Sequence, residues 1–354
     1  MKFKLGELFC GPGGMSLGAI SAKIKGPKNE LWTIHHEWAN DYDLDSCETF
    51  KQNIGGSNKS VIHKDVRELN INDLSEINCF AYGFPCNDFS LVGEQKGFNG
   101  KFGPLYTYGL GVINQFKPIF FVAENVSGLS SANEGNAFKA IKHDLENAGE
   151  FGYNLTIHKY KSEYYGIPQT RHRIIIVGIR KDLNKIFKVP KPIISESKDF
   201  VSVKEVLENP PIGLASNNEL TKQSAQVIER LQYIKPGENV WNAQLPDHLK
   251  LKVKGAKLSQ IYRRLHPDKP SYTITGSGGG GTHVYHYNEP RALTNRERAR
   301  IQTFPDDFVF IGSKESVRKQ IGMAVPPKLS KIIFESILKT LANIDYQYID
   351  ANIS

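Results

Sequence analysis

The feature that most constrains this chain is a short apolar strand over residues 4–9 that runs into Cys10-Gly11-Pro12-Gly13-Gly14, followed by apolar residues at Leu17, Ile20 and Ile24. Strand, glycine turn and helix in that order open an α/β sheet. Glycine lacks the Cβ that keeps a ligand at a distance, so the turn brings backbone N–H groups and a helix N-terminus up to a bound group. The spacing does not suit a dinucleotide. A G-x-G-x-x-G fingerprint starting at Gly11 needs glycine where Ser16 stands, and the sequence supplies it only at Gly18. No P-loop lysine follows. A nucleoside cofactor without a pyrophosphate fits better, and Glu7 at the end of the strand could accept from its ammonium group.

Strands and helices then alternate. The second strand, 32–38, leads to Asn40-Asp41-Tyr42-Asp43. An acidic residue closing that strand holds a ribose by its hydroxyls in this class of sheet, with a helix cap as the alternative for Asp41. Tyr42 can stack on a purine. Asp65, after a third strand over 60–63, can accept from an adenine amino group or cap a turn.

The next apolar run, 79–82, empties into Gly83-Phe84-Pro85-Cys86-Asn87-Asp88-Phe89-Ser90. Chemistry collects outside the carboxyl ends of such strands, which suits Cys86 as a nucleophile; a small buried apolar residue is the competing reading. Residues 91–104 are too long and polar for a tight connection and suit a binding loop or lid. Glu124 ends the apolar strand 119–123, where a carboxylate needs a partner. In Gln169-Thr170-Arg171-His172-Arg173, alternation would place Gln169, Arg171 and Arg173 on one face, as a site or as surface salt bridges.

The four cysteines show no CxxC pairing, which argues against structural zinc and a secreted disulfide scaffold. No apolar run approaches the ~20 residues of a membrane span, and no signal peptide opens the chain, so a cytoplasmic protein is expected. A net charge of +8 suits a polyanionic partner without demanding one.

Taken in order, these pieces resemble the DNA (cytosine-5)-methyltransferases of bacterial restriction-modification systems. Residues 7–18 resemble the S-adenosylmethionine loop, 83–90 the Pro-Cys motif, Glu124-Asn125-Val126 the Glu-Asn-Val motif and 169–173 the Gln-x-Arg-x-Arg motif. Arg291-Ala292-Leu293-Thr294 with Arg296-Glu297, and residues 320–327, resemble the late motifs. The resemblance spans nearly the whole chain and implies a doubly wound, mostly parallel α/β sheet of the class I S-adenosylmethionine-dependent methyltransferases, with a smaller inserted target-recognition domain. The implied domains are 1–189 for catalysis and cofactor binding, 190–292 for target recognition, and 293–354 returning to the first.

The resemblance further implies methyl transfer from S-adenosyl-L-methionine to C5 of a cytosine flipped out of a specific duplex DNA sequence, through an adduct of Cys86 with C6. Glu124 would hydrogen-bond N3 and the exocyclic amine, Arg173 would contact O2, and Arg171 completes the implied catalytic set. Phe9, Gly11, Gly13, Gly14, Asp41, Tyr42, Asp65 and Leu105 would surround the cofactor, with no metal. Residues 91–104, including Gln95, Lys96 and Lys101, would close over the DNA. Two positions depart from the family: Asn87 stands where glutamine is usual, a change seen in some members, and Met323 stands where asparagine is usual and cannot supply its polar contact.

The rival readings are a tRNA cytosine-5 methyltransferase and a catalytically silent DNA-binding relative, the latter disfavoured because Cys86, Glu124 and Arg173 are all present. A nicotinamide-dependent oxidoreductase is disfavoured by the glycine spacing. The expected partners are double-stranded DNA and a cognate restriction endonuclease acting separately; a monomer is expected.

From 181 to about 272 the periodicity weakens. Residues 191–269 hold thirteen Lys or Arg against nine Asp or Glu, a mild excess compatible with phosphate contacts. Residues 262–265 and 270–275 read as strands. The glycine run 276–281 reads as a flexible link or, alternatively, a close approach to phosphate. Thr294-Asn295-Arg296-Glu297 is a capping box that starts a helix whose Arg296, Arg298 and Arg300 read as solvated. The last helix, from 327 to 343, carries a core-facing stripe and by resemblance folds back onto the cofactor domain.

Overall fold

The computed structural model describes residues 1–84, 105–126, 136–252 and 258–353. The chain begins with β1 (Lys2–Leu8), α1 (Gly14–Ser21), β2 (Lys23–Lys25), β3 (Leu31–Asp41), α2 (Leu44–Asn53), β4 (Val61–His63) and β5 (Cys79–Gly83). It continues through α3 (Tyr106–Phe116), β6 (Phe120–Val126), α4 (Asn136–Glu146), β7 (Tyr153–Lys161), β8 (Gln169–Thr170), β9 (His172–Arg180) and β10 (Val189–Pro190). Then come α5 (Val203–Glu208), α6 (Ala225–Gln232), β11 (Ser271–Tyr272), α7 (Asn295–Ile301), α8 (Lys314–Met323), α9 (Pro327–Leu341) and β12 (Tyr348–Ile349).

The main sheet runs β2-β3-β1-β5-β6-β9-β7, with β4 also paired to β3. β4, β3, β1, β5 and β6 are mutually parallel, while β9 lies antiparallel between β6 and β7. This is the doubly wound, mostly parallel sheet expected from the sequence. Its central strands are buried on both faces, so they read as continuous apolar runs: every side chain from Cys79 to Tyr82 and from Ile174 to Val177 is buried. From β1 the chain moves outward through β3 to β4, then returns on the other side of β1 as β5. The order therefore reverses between β1 and β5, and the carboxyl ends of the strands flank that switch point.

The chain divides into two compact units: Met1–Lys161, His172–Pro192 and Pro327–Ser354 form the first, Ser162–Arg171 and Ile193–Pro326 the second. α9 closes the first unit. Ser330 Oγ donates to the Met15 carbonyl at 2.7 Å, and Phe334 meets the Phe120 ring edge-on at 6.2 Å between centroids.

Three sequence expectations are corrected here. Residues 169–173 are not one strand with three side chains on one face. β8 pairs with β11 in the second unit, β9 pairs with β6 and β7 in the first, and at the break the Arg171 N–H donates back to the Gln169 carbonyl at 3.0 Å. Residues 262–265 are not a strand, because Tyr262 has a left-handed φ of 47°, and of 270–275 only β11 is extended and paired. The arginines of α7 are not solvated: Arg296 and Arg298 are buried, and Arg300 binds Asp306 and two backbone carbonyls.

The glycine run is partly tied down. A Cβ on Gly276 would meet the Lys319 carbonyl oxygen at 2.9 Å, and one on Gly322 of α8 would sit 2.0 Å from the Gly276 nitrogen. Chain 275–276 thus lies directly on α8, a packing that only glycine permits at 322.

Candidate active site

The glycine turn takes its shape from three consecutive constraints. Phe9, Gly11 and Gly13 have φ of 55°, 52° and 96°, reversing the chain as it leaves β1. The Cys10 N–H donates to the Asn40 carbonyl at 3.1 Å, and the Gly11 N–H donates to Asp41 Oδ2 at 2.8 Å, which fastens the turn to the end of β3. A Cβ on Gly13 would lie 2.9 Å from Phe50 and Ile54, whereas one on Gly11 would point into open space. α1 starts at Gly14 with no side-chain cap. An uncapped helix N-terminus beside that space suits a polar ligand.

The carboxylates near the turn divide by burial. Asp41 accepts from the Gly11 N–H through one oxygen and from the Asp43 N–H through the other at 2.9 Å. The cap of α2 is Asp43, which accepts from the Ser46 N–H at 2.9 Å. Tyr42 is 63% exposed at the end of β3. Asp65 caps a short turn of 3₁₀ helix and pairs with Arg67 Nε at 2.9 Å. Leu105 is buried in the apolar cluster against which Phe9 packs.

Glu7 departs from expectation. It is 1% exposed, its carboxyl accepts from the Ser16 hydroxyl, and burial pushes its pKa up to about 8, aided by the nearby charge of Asp41. A carboxyl so enclosed and largely protonated near neutral pH is a buried structural group. It is not the exposed anion that would meet a cofactor ammonium.

The second half of the site stands at the ends of β5 and β6. Gly83 is the register partner of Glu124, and a Cβ there would lie 3.3 Å from Glu124 Oε2. Arg173 Nε reaches Glu124 Oε1 at 2.9 Å with both side chains mostly buried, and Arg173 Nη1 donates to the His172 carbonyl at 2.8 Å. Asn125, to which sequence reasoning gave no role, is buried and donates to the Phe84 carbonyl at 3.1 Å. It anchors the chain immediately before Pro85. The available signal was an amide side chain inside an apolar strand, where it needs a partner.

Cys86, Asn87 and the loop 91–104 lie outside the described residues. Arg171 belongs to the second unit, where its 1%-exposed side chain donates to the Ile274 carbonyl at 3.1 Å. Gln169, also in that unit, donates to Gln302 Oε1 at 2.9 Å and accepts from the Ile274 N–H at 2.8 Å. The structure thus brings Phe9, Gly11, Asp41 and Leu105 together around the turn, and Glu124 with Arg173 beside β5.

The family model for C-5 cytosine-specific DNA methylases matches residues 3–339. The chain belongs to this family. It is a DNA (cytosine-5-)-methyltransferase of the restriction-modification type, similar to the type II methyltransferase M.BbvI of Brevibacillus brevis, with 56% identity across 99% of this chain and 95% of that protein. It is also 41% identical to type II methyltransferase M.NgoFVII of Neisseria gonorrhoeae, across 99% of this chain and 90% of the relative. In fold it matches the crystal structure of a prophage-encoded DNA modification methyltransferase from E. coli, with a TM-score of 0.73, 23% identity, and coverage of 96% of this chain and 99% of that one. Members of this methylase family use S-adenosyl-L-methionine. The open space at Gly11, the carboxylate of Asp41 beside it, the exposed Tyr42 ring and the apolar Phe9 and Leu105 fit an adenosine-bearing group of that kind. Among the described residues, no helix of the methylase is long and apolar enough to cross a membrane.

Proposed function

We propose that this methylase modifies C5 of a cytosine flipped out of a specific duplex DNA sequence, through a covalent bond between Cys86 and C6. The observation that supports this most is the Glu124–Arg173 pair, held at 2.9 Å at the end of β6 beside Gly83, three residues before Cys86. Bound S-adenosyl-L-methionine supplies the electrophilic methyl group. Phe9, Gly11, Gly13, Gly14, Asp41, Tyr42, Asp65 and Leu105 would hold it, Asp41 by accepting from the ribose hydroxyls and Tyr42 by stacking.

The protein's own groups act on the base. Cytosine C5 is a poor nucleophile until a thiolate adds to C6 and pushes electron density onto it. The Cys86 thiolate makes that bond. Glu124 binds N3 and the exocyclic amine, stabilising the activated ring, and Arg173 fixes the Glu124 carboxylate while reaching toward O2. Once C5 is methylated, loss of its proton returns the electron pair and expels the Cys86 thiolate. Asn125 sets the entry of the chain that carries Cys86. Target recognition is assigned to residues 190–292, the substrate is duplex DNA bound by a monomer, and a cognate endonuclease acts as a separate protein.

The deciding experiment measures transfer of labelled methyl groups to duplex DNA and, in parallel, to tRNA. Cys86→Ala lowers transfer to DNA by on the order of 10³-fold or more while cofactor binding persists. Undiminished transfer by that variant sinks the mechanism, and transfer to tRNA alone sinks the choice of substrate.

A further inference from the structure

Phe84 and Leu105 are the described residues on either side of the segment that carries Cys86, which follows Phe84 by two positions. The departing end of that segment is held by Asn125, which donates to the Phe84 carbonyl at 3.1 Å. The returning end needs a hold of its own. Among the described residues α3 begins at Tyr106 with no side-chain cap, and the first turn of an uncapped helix frays.

Two contacts within the first unit supply that hold. A Cβ on Gly109 would lie 2.5 Å from the Tyr82 ring, so α3 rests directly on β5 at that point. Tyr106, three residues earlier on the same helix face, brings its ring within 6.4 Å of the Phe84 ring as a tilted aromatic pair, and Tyr82 backs Phe84 from the other direction at 5.6 Å. Ring packing alone lets one ring slide over another. The Tyr106 hydroxyl stops the slide by donating to Asp144 Oδ2 of α4 at 2.8 Å. Asp144 is itself well anchored, because Ile141 and Leu145 on either side of it are buried in the apolar cluster that also holds Phe84, Leu105 and Tyr106. A hydrogen bond to a carboxylate is directional and roughly twice as strong as one between neutral groups, so it fixes the first turn of α3 against α4.

We propose that Tyr106 and Asp144 are a positioning pair for methyl transfer: they fix where the chain beyond Cys86 rejoins the sheet, and with Asn125 they set the place from which the thiolate reaches C6. The role given to Cys86 rests on the function proposed above. The pair acts through Phe84 and the start of α3. Misplacing a reacting group by ~1 Å costs up to ~10²-fold in rate, so the effect falls on kcat and spares the binding of duplex.

The test uses the full chain at saturating S-adenosyl-L-methionine, with kcat and KM for duplex DNA measured separately. Tyr106→Phe keeps the ring and loses the hydroxyl, and Asp144→Ala removes the acceptor; each is expected to lower kcat about tenfold with KM unchanged. The double variant is expected to be no slower than either single one, and Asp144→Asn, which keeps an acceptor oxygen, to restore most of the rate. Unchanged kcat, additive losses or no rescue by asparagine each overturn the proposal. A second measurement needs neither DNA nor turnover: labelling of Cys86 by iodoacetamide, the other three cysteines being buried. Its rate is expected to rise severalfold in Tyr106→Phe, and equal rates also overturn the proposal. If the wild type transfers no methyl group to duplex DNA, the proposed function fails while the labelling still decides the positioning pair.

Discussion

The two units satisfy their buried backbone in different ways. In the first, the eight-stranded sheet pairs its own N–H and C=O groups, and side chains are left to fill the core or equip the strand ends. In the second, regular pairing among the described residues is sparse, and arginines do that work. Arg264 donates to the carbonyls of Leu231, Ile234, His286, Tyr287 and Glu289; Arg296 donates to those of Ser216, Pro305 and Phe308. A buried carbonyl without a donor costs about as much as a lost hydrogen bond, so a loop-rich unit must import donors from side chains. The difference teaches where each unit is fragile: the first at its packing and strand ends, the second at single arginines.

The largest test of that contrast is Arg264→Met, which keeps the length of the side chain and strands five carbonyls. It is expected to destabilise the second unit by about 3–5 kcal/mol, followed in urea by the fluorescence of Trp241, the tryptophan of that unit. A loss no larger than ~1 kcal/mol, that of one ordinary hydrogen bond, would break the comparison. Gly322→Ala comes next. Its new Cβ would lie 2.0 Å from the Gly276 nitrogen and 2.1 Å from the Thr275 carbonyl carbon, backbone atoms that cannot swing aside. A cost of ~1–3 kcal/mol in the same assay is expected from overpacking.

The remaining test, Glu7→Gln in the first unit, is read as a slope against pH. The Glu7 carboxyl has a pKa raised from 4.5 to about 8, so between those values the folded state binds more protons than the unfolded one. Stability from this group is therefore fully present below 4.5 and is lost as the pH rises toward 8. Unfolding at a series of pH values is expected to show that decline in the wild type and its reduction in Glu7→Gln. An identical slope in both proteins would remove Glu7 as the source.

Legibility followed the same division. The strand runs 79–82 and 174–179 announced themselves because both of their faces are buried, and the capping box at Thr294 is visible as such in the structure. The break at Arg171 was hidden, because alternation continues smoothly across it while the two sides pair with different units. Arg298 looked like one more solvated charge on a short helix. Nothing local distinguishes a guanidinium in water from one that is enclosed, since its surroundings come from distant residues, Tyr272, Tyr285 and Arg318 among them.

The sequence by itself determined the strand–glycine turn–helix opening and the order of motifs whose resemblance to the cytosine-5 methylases implies the doubly wound sheet. These depend on periodicity and short-range spacing, which the chain carries locally. Tertiary structure alone decided that Glu7 is a buried and largely protonated acid, that Asp41 ties the glycine turn to β3, that Asn125 anchors Phe84, and that the arginines of α7 lie inside. Each of those outcomes depends on which distant groups exclude water from a side chain. Desolvation is a property of the folded neighbourhood and leaves no mark on the local sequence.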